Sequence, residues 1–414
     1  MDYGPQQSQA SVSEVFRVFL KLGLTSFGGP IAHLGYFRDE LVTRRKWLSE
    51  SAYADLVALC QFLPGPASSQ VGFALGLTRA GWGGAFAAFL AFTLPSALIL
   101  LALAMTATRL ESPLALGVLH GLKIVAVAIV AQAVWGMAKN LCPDRERATI
   151  AVAAVLLLAW APGAIGMMAA ILLGTIAGLA LGKGQVTIGK HLPVSRKAGL
   201  TAFALFAALL IGLPFLAGQA QGWALADSFY RAGSLVFGGG HVVLPLLRAE
   251  TVTPGWVSDD AFLAGYGAAQ AVPGPLFTFA AWLGAIMGPA PNGVAGAAIA
   301  LVALFLPGFL ILIGTLPFWD RLRRTIWAQS ALQGANAAVV GILGAALYSP
   351  VFTTAIGSEV PEGIMDAVFT SAIGGMPDFA LALICFVALM AWKAPPWVVV
   401  LLAAVGGTAL GLMT

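Results

Sequence analysis

The sequence predicts an all-α polytopic membrane protein. It is built of two inverted-topology repeats of about six membrane segments each, joined by one connecting helix, with broken or re-entrant helices at two Pro-Gly-Pro tripeptides. Three observations carry this reading. First, hydrophobic residues make up 59% of the 414-residue chain and charged residues 10%, with a mean hydropathy of +0.89; a soluble domain carries about 25% charged residues. Apolar runs of the roughly 20 residues needed to cross a hydrocarbon core recur from about Glu14 onward. They are continuous rather than alternating, which excludes a transmembrane barrel. Second, Pro64-Gly65-Pro66 and Pro273-Gly274-Pro275 each fall inside an apolar run, and each follows a glutamine (Gln61, Gln270) at the same distance. Proline removes a backbone donor and clashes with the preceding turn, so each tripeptide is expected to break a helix. Third, the chain repeats itself.

The repeat is read from motifs in register. Phe27-Gly28-Gly29-Pro30 aligns with Phe237-Gly238-Gly239-Gly240 at an offset of 210 (237 − 27). The same offset pairs Gly23 with Gly233, Lys21 with Arg231, Arg38 with Arg248 and Glu40 with Glu250. One residue less pairs Trp47-Leu48-Ser49 with Trp256-Val257-Ser258, and then the two Gln-x-x-Pro-Gly-Pro stretches. Leu94-Pro95 matches Leu306-Pro307, Leu119-His120-Gly121 matches Leu332-Gln333-Gly334, and Ala159-Trp160 matches Ala391-Trp392. The organisation expected is a polar tail at 1–13, a first repeat at 14–182, a basic loop and connecting helix at 183–226, and a second repeat at 227–414. Six segments per half make about thirteen with the connector, so the second half starts on the opposite side.

Loop charges test the orientation, because cytoplasmic loops are enriched in Lys and Arg. The first-half loop with Arg38, Arg44, Arg45 and Lys46 is basic; its counterpart keeps Arg248 beside Glu250, Asp259 and Asp260. Arg109 and Glu111 correspond to the cluster Arg321, Arg323 and Arg324. Lys183, Lys190, Arg196 and Lys197 form another basic loop, whereas 358–378 is acidic through Glu359, Glu362, Asp366 and Asp378. These signs fit a cytoplasmic N-terminus and an external C-terminus, provided the first two segments of each half dip in and return.

The chemistry offered at the breaks favours an anion. A helix starting after Pro-Gly-Pro presents unpaired N–H groups and the positive end of its dipole. The first turn carries Ser68, Ser69 and Gln70 in one half, and Leu276, Phe277 and Thr278 in the other. Gly28, Gly29, Gly238 and Gly239 allow close backbone approach. Packing kinks, common in membrane helices, are the plain alternative. Lys21, Arg231 and Lys123 lie within apolar stretches where acids are scarce, with Asp227, Glu14 and Asp55 near segment starts. A basic, acid-poor interior selects an anion; snorkelling from a helix end is the competing reading. His33 and His241 flank the same breaks, as anion donors, proton carriers or packing residues.

These motifs resemble the chromate ion transporter family in its long, two-domain form. The likeness rests on Phe-Gly-Gly-Pro, Trp-Leu-Ser, Gln-x-x-Pro-Gly-Pro and their second-half echoes, and it spans nearly the whole chain. It implies export of chromate from the bacterial cytoplasm across the inner membrane and hence chromate resistance. Carried over as motif positions are Phe27, Gly28, Gly29, Pro30, Gln61, Pro64, Gly65 and Pro66. Their second-half counterparts are Phe237, Gly238, Gly239, Gly240, His241, Gln270, Pro273, Gly274 and Pro275. Gly240 stands where the first half has Pro30, so the two ends of a site need not bind alike. Sulfate is isosteric with chromate, and the substrate rests on the resemblance alone. The substrate-binding set expected is completed by Lys21, Ser68, Ser69, Lys123, Arg231 and Thr278.

Other function classes lack their motifs. Cys60, Cys142 and Cys385 form no metal or redox spacing, and no Walker loop, Gly-x-Ser-x-Gly or His-Glu-x-x-His occurs. No catalytic residue, cofactor or metal is expected, and a net charge of +4 is too small and scattered for nucleic acid. The expected partners are a chromate- or sulfate-like oxyanion and the lipid bilayer, with a homodimer left open. Alternating access driven by membrane potential is expected to move the anion, with proton coupling through His241 or Glu250 as an option.

Overall fold

The computed structural model describes residues 11–26, 29–107, 113–161, 164–182, 194–236, 242–319, 325–348 and 364–413. Every regular element among them is helical. The first half runs α1 (Val12–Thr25), α2 (Gly29–Phe37) continuing as a π-helical stretch (Arg38–Arg44), α3 (Glu50–Phe62), α4 (Ala67–Ala107), α5 (Pro113–Leu141), α6 (Arg145–Trp160) and α7 (Ala164–Leu181). Helix α8 (Arg196–Ala217) connects the halves. The second half runs α9 (Gln221–Ser234), α10 (Val243–Thr251), α11 (Asp259–Ala271), a 3-10 turn (Leu276–Thr278), α12 (Phe279–Ile286), α13 (Gly293–Thr315), α14 (Ile326–Ala346), α15 (Ile364–Met390) and α16 (Pro396–Met413).

Matching local chemistry starts matching helices. Ser49 caps α3 by accepting from the Ala52 N–H, and Ser258 caps α11 by accepting from the Ala261 N–H. Both helices stop at a Pro-Gly-Pro, whose central glycine has φ +118° at Gly65 and +108° at Gly274, a region L side chains rarely enter.

Helix α4 is not a single rod. Ala80 (φ −142°) and Gly81 (φ +61°) leave helical geometry, and Gly76 then packs against Gly84 and Ala88. The second half makes the same turn between α12 and α13, where Gly284 packs against Gly296. Each half holds eight helical pieces among the described residues, with the two arms of α4 counted separately. Among the described residues, four helical stretches are long and apolar enough to cross a membrane, 67–106 (which contains the Ala80-Gly81 turn), 120–141, 196–217 and 293–318, with four shorter apolar helices besides.

The halves interlock through their last hairpins. Helix α5 packs on α16 of the other half, and α14 packs on α7. Glycine makes both crossings: Gly121 lies on the Ala403 carbonyl, and Gly334 on the Gly174 carbonyl. In lipid, helix association depends on close packing more than on hydrophobic burial, so small residues at the crossings set the approach.

Candidate functional site

Two hydrogen bonds assemble the site. The Gly65 N–H donates to the Val236 carbonyl (2.7 Å), and the Gly274 N–H donates to the Ser26 carbonyl (2.9 Å). Ser26 and Val236 are the residues immediately before Phe27-Gly28 and Phe237-Gly238. Each Pro-Gly-Pro is thus tied to the approach to the other half's glycine stretch. A Cβ at Gly65 would meet the Gly308 Cα at 2.9 Å, and one at Gly274 would meet Ser96 Oγ at 2.7 Å. These contacts join each tripeptide to the long helix of the opposite half, one residue past Pro307 and Pro95 respectively. Phe27, Gly28, Gly238, Gly239, Gly240 and His241 lie outside the described residues, as does Phe237; Gly29 and Pro30 begin α2.

Polar groups gather on the first-half side of this junction. Ser68, Ser69 and Gln70 open α4 and are buried, as are Ser26, His33, Thr93 and Ser96. His33 Nδ1 lies 3.4 Å from Ser68 Oγ, and the ring stands edge-on to Phe92. Gln70 Nε2 donates to the carbonyls of Pro64 (2.9 Å) and Gly308 (2.8 Å), stitching α4 to the break before it and to α13. Ser26 Oγ, His33 Nε2, Ser69 Oγ, Gln70 Oε1 and Thr93 Oγ1 are buried without a protein partner. Leaving such groups unmade costs about 1–3 kcal/mol each, and five of them stand around this one break. Sequence reasoning singled out Ser68 and Ser69 but missed Ser26, Thr93 and Ser96, which belong to other segments and carry no motif.

On the second-half side, Leu276, Phe277 and Phe279 line the equivalent turn. The Thr278 hydroxyl donates to the Pro275 carbonyl (2.7 Å), which spends it locally. The two motif glutamines also diverge: Gln61 is exposed, whereas Gln270 is buried with its amide against Tyr266.

The three cations read from sequence all meet carboxylates. Lys21 Nζ bonds Glu40 at 3.0 Å, and Lys123 Nζ bonds Asp260 at 2.9 Å. One Arg231 nitrogen touches both Glu250 (2.7 Å) and Asp227 (3.2 Å). The expectation of an acid-poor interior is therefore corrected: Glu250, read as a loop acid, and Glu40, read only as its repeat partner, fold back onto the cations at the equivalent positions. Glu40 also takes Arg44 and Arg45 at 2.9 Å each, and Arg45 reaches Glu14 at 3.8 Å. Burial raises the Glu40 carboxyl, but the bonds from Lys21 and Arg45 and the charge of Arg44 outweigh it and hold it below the ordinary range. Among the described residues no group of three His, Cys, Asp or Glu could hold a metal ion.

A family model described as "Chromate transporter" matches residues 13–181 and 223–408, ranges that carry both tripeptides and both tethering residues. The chain belongs to the chromate transporter family. Among its relatives, a chromate transport protein of Pseudomonas aeruginosa is 31% identical over 409 residues, covering 96% of this chain and 91% of the relative. A probable chromate transport protein of Synechococcus elongatus is 29% identical over 348 residues (81% and 84%). A chromate transport protein of Cupriavidus metallidurans is 26% identical over 347 residues (81% and 82%). No solved structure matches the chain. Family membership and the long apolar helices together make this a membrane transport protein whose family implies an oxyanion substrate.

Proposed function

We propose that this chain is a secondary transporter that exports chromate from the bacterial cytoplasm across the inner membrane and so confers chromate resistance. The single observation that carries the reading is the reciprocal tether of the two Pro-Gly-Pro breaks, Gly65 to Val236 and Gly274 to Ser26. Backbone leaves helical geometry at membrane depth only where protein or a polar cavity satisfies it. Paired breaks in corresponding places are how such folds build a substrate site. The buried hydroxyls and imidazole beside the first break supply donors without a fixed positive charge, which suits a tetrahedral oxyanion that must also leave. Within the substrate-binding set read from the sequence, Ser68 and Ser69 face the anion together with Ser26, His33 and Thr93; Thr278, its hydroxyl spent on Pro275, and the ion-paired Lys21, Lys123 and Arg231 frame the site without binding it directly.

The halves act as inverted repeats in this reading. Helices α1, α2, α3 and 67–79 are too short to span about 30 Å singly at 1.5 Å per residue. They pair as re-entrant hairpins entering from the cytoplasm, while α9 to α12 enter from outside. Both termini then fall where the loop charges put them, the first inside and the last outside. Rocking of one half on the other opens the junction to each side in turn.

An inside-negative potential favours export. It is worth about 2.3 kcal/mol per charge per 100 mV, so a dianion gains roughly 4.6 kcal/mol, enough for a gradient above about a thousandfold. The test is labelled chromate and sulfate flux in proteoliposomes with potential and pH gradient imposed separately. Chromate flux driven by potential alone is the expected result. Sulfate flux without chromate flux overturns the substrate, and flux of neither overturns the transport reading.

A further inference from the structure

The second half holds a cluster that its counterpart cannot form. Asp227 and Glu250 both bond the same Arg231 nitrogen, at 3.2 and 2.7 Å, so their oxygens cannot lie further apart than those two contacts laid end to end. Both side chains are largely buried (7% and 14% exposed). Asp227 Oδ1 and Arg231 Nε are buried without any partner, so the guanidinium serves two carboxylates through one nitrogen instead of gripping one with its fork. Ser228 also hydrogen-bonds Glu250. Two acids and one base leave a net negative charge that one proton cancels. In the first half the offset of 210 puts Arg17 where Asp227 stands.

We propose that Asp227 and Glu250 form a one-proton binding site, with Arg231 holding the two carboxyls together. Closely spaced carboxylates cannot both stay ionised cheaply, and they titrate as a pair. The proton comes from water on the outer side and returns to it; Asp227 Oδ1, which lacks a partner, is its seat. Among the described residues, the helices packed on the pair bring no competing charge. Helices α9 and α10 pack against α7, α8, α13 and α14. Of these, α7, α13 and α14 contain no charged residue, and α8 carries only Arg196 and Lys197, exposed in its first turn. On the same hairpin, Arg248 is occupied by Asp259 at 2.7 Å. His241 lies outside the described residues.

If the chain transports an oxyanion, as proposed above, the proton also sets the charge that the departing anion meets. Infrared difference spectroscopy of the full chain in lipid vesicles, titrated with pH, tests the site independently of substrate. One titrating protonated-carboxyl band is expected in the parent, lost or displaced in both Asp227→Asn and Glu250→Gln and kept in Glu40→Gln. Absence of the band, its persistence unchanged in either of the first two variants, or its loss in Glu40→Gln overturns the site. Should one isosteric variant fail to insert, the other alone decides. In parallel, chromate flux is expected to vary up to about tenfold per pH unit in the parent and less than about twofold in the variants. Unaltered pH dependence alongside a lost band leaves the proton site standing and refutes its link to transport.

Discussion

The two Pro-Gly-Pro junctions share a backbone and differ in everything attached to it. Each central glycine has a positive φ, each donates its N–H to the residue before the other half's glycine stretch, and each touches the opposite long helix. Around the first break stand Ser26, His33, Ser68, Ser69, Gln70 and Thr93. The corresponding positions of the second carry Val236, Val243, Phe277, Thr278, Phe279 and Phe305. The ionic clusters diverge in the same way, with three cations on Glu40 in one half and two acids on Arg231 in the other. The backbone features recur because the positive φ and the tether tolerate little else. Side chains that only line the junction are free to differ, and in the proposed function the polar face holds the anion while the apolar face closes over it.

The strongest way to break the comparison is to remove what the halves share. Gly65→Ala and Gly274→Ala should each abolish chromate flux. Both put a Cβ into backbone or a buried hydroxyl at a φ that costs about 1–3 kcal/mol; activity at normal membrane levels in both would refute the shared-junction reading. Replacing Pro64 and Pro273 together by alanine should also stop flux while insertion, followed by membrane fractionation, continues.

The next test separates the faces. Ser69→Ala should cut chromate flux roughly tenfold, about the worth of one hydrogen bond to a charged group. Thr278→Ala should cost less than about twofold, its hydroxyl being spent on Pro275. Equal effects in proteoliposomes would erase the proposed asymmetry.

Smaller effects belong to the ion pairs. Glu40→Gln leaves Lys21, Arg44 and Arg45 without their common partner, and should lower thermal stability by roughly 1–2 kcal/mol, discounted because the cations are partly exposed. His120→Phe removes the 2.9 Å contact with Asp378 that fastens α5 to α15, and should cost below about 1 kcal/mol in the same unfolding measurement.

Much of this is legible in the sequence. Composition alone determined the bilayer as solvent, since 10% charge cannot solvate a soluble surface of this size. Proline and glycine determined where helices stop, because their restrictions act on the residues beside them. The register of Lys21 with Arg231 and of Glu40 with Glu250 was also there to be read. The tertiary structure alone decided that those residues bond within each half, while the breaks bond across halves. It likewise decided that α4 turns back on itself at Ala80-Gly81, and that hydroxyls from three separate segments meet beside one tripeptide. Local pattern reports a residue's effect on its own backbone; which distant group satisfies a buried charge or carbonyl depends on how helices cross, and glycines at those crossings constrain the approach without naming the partner.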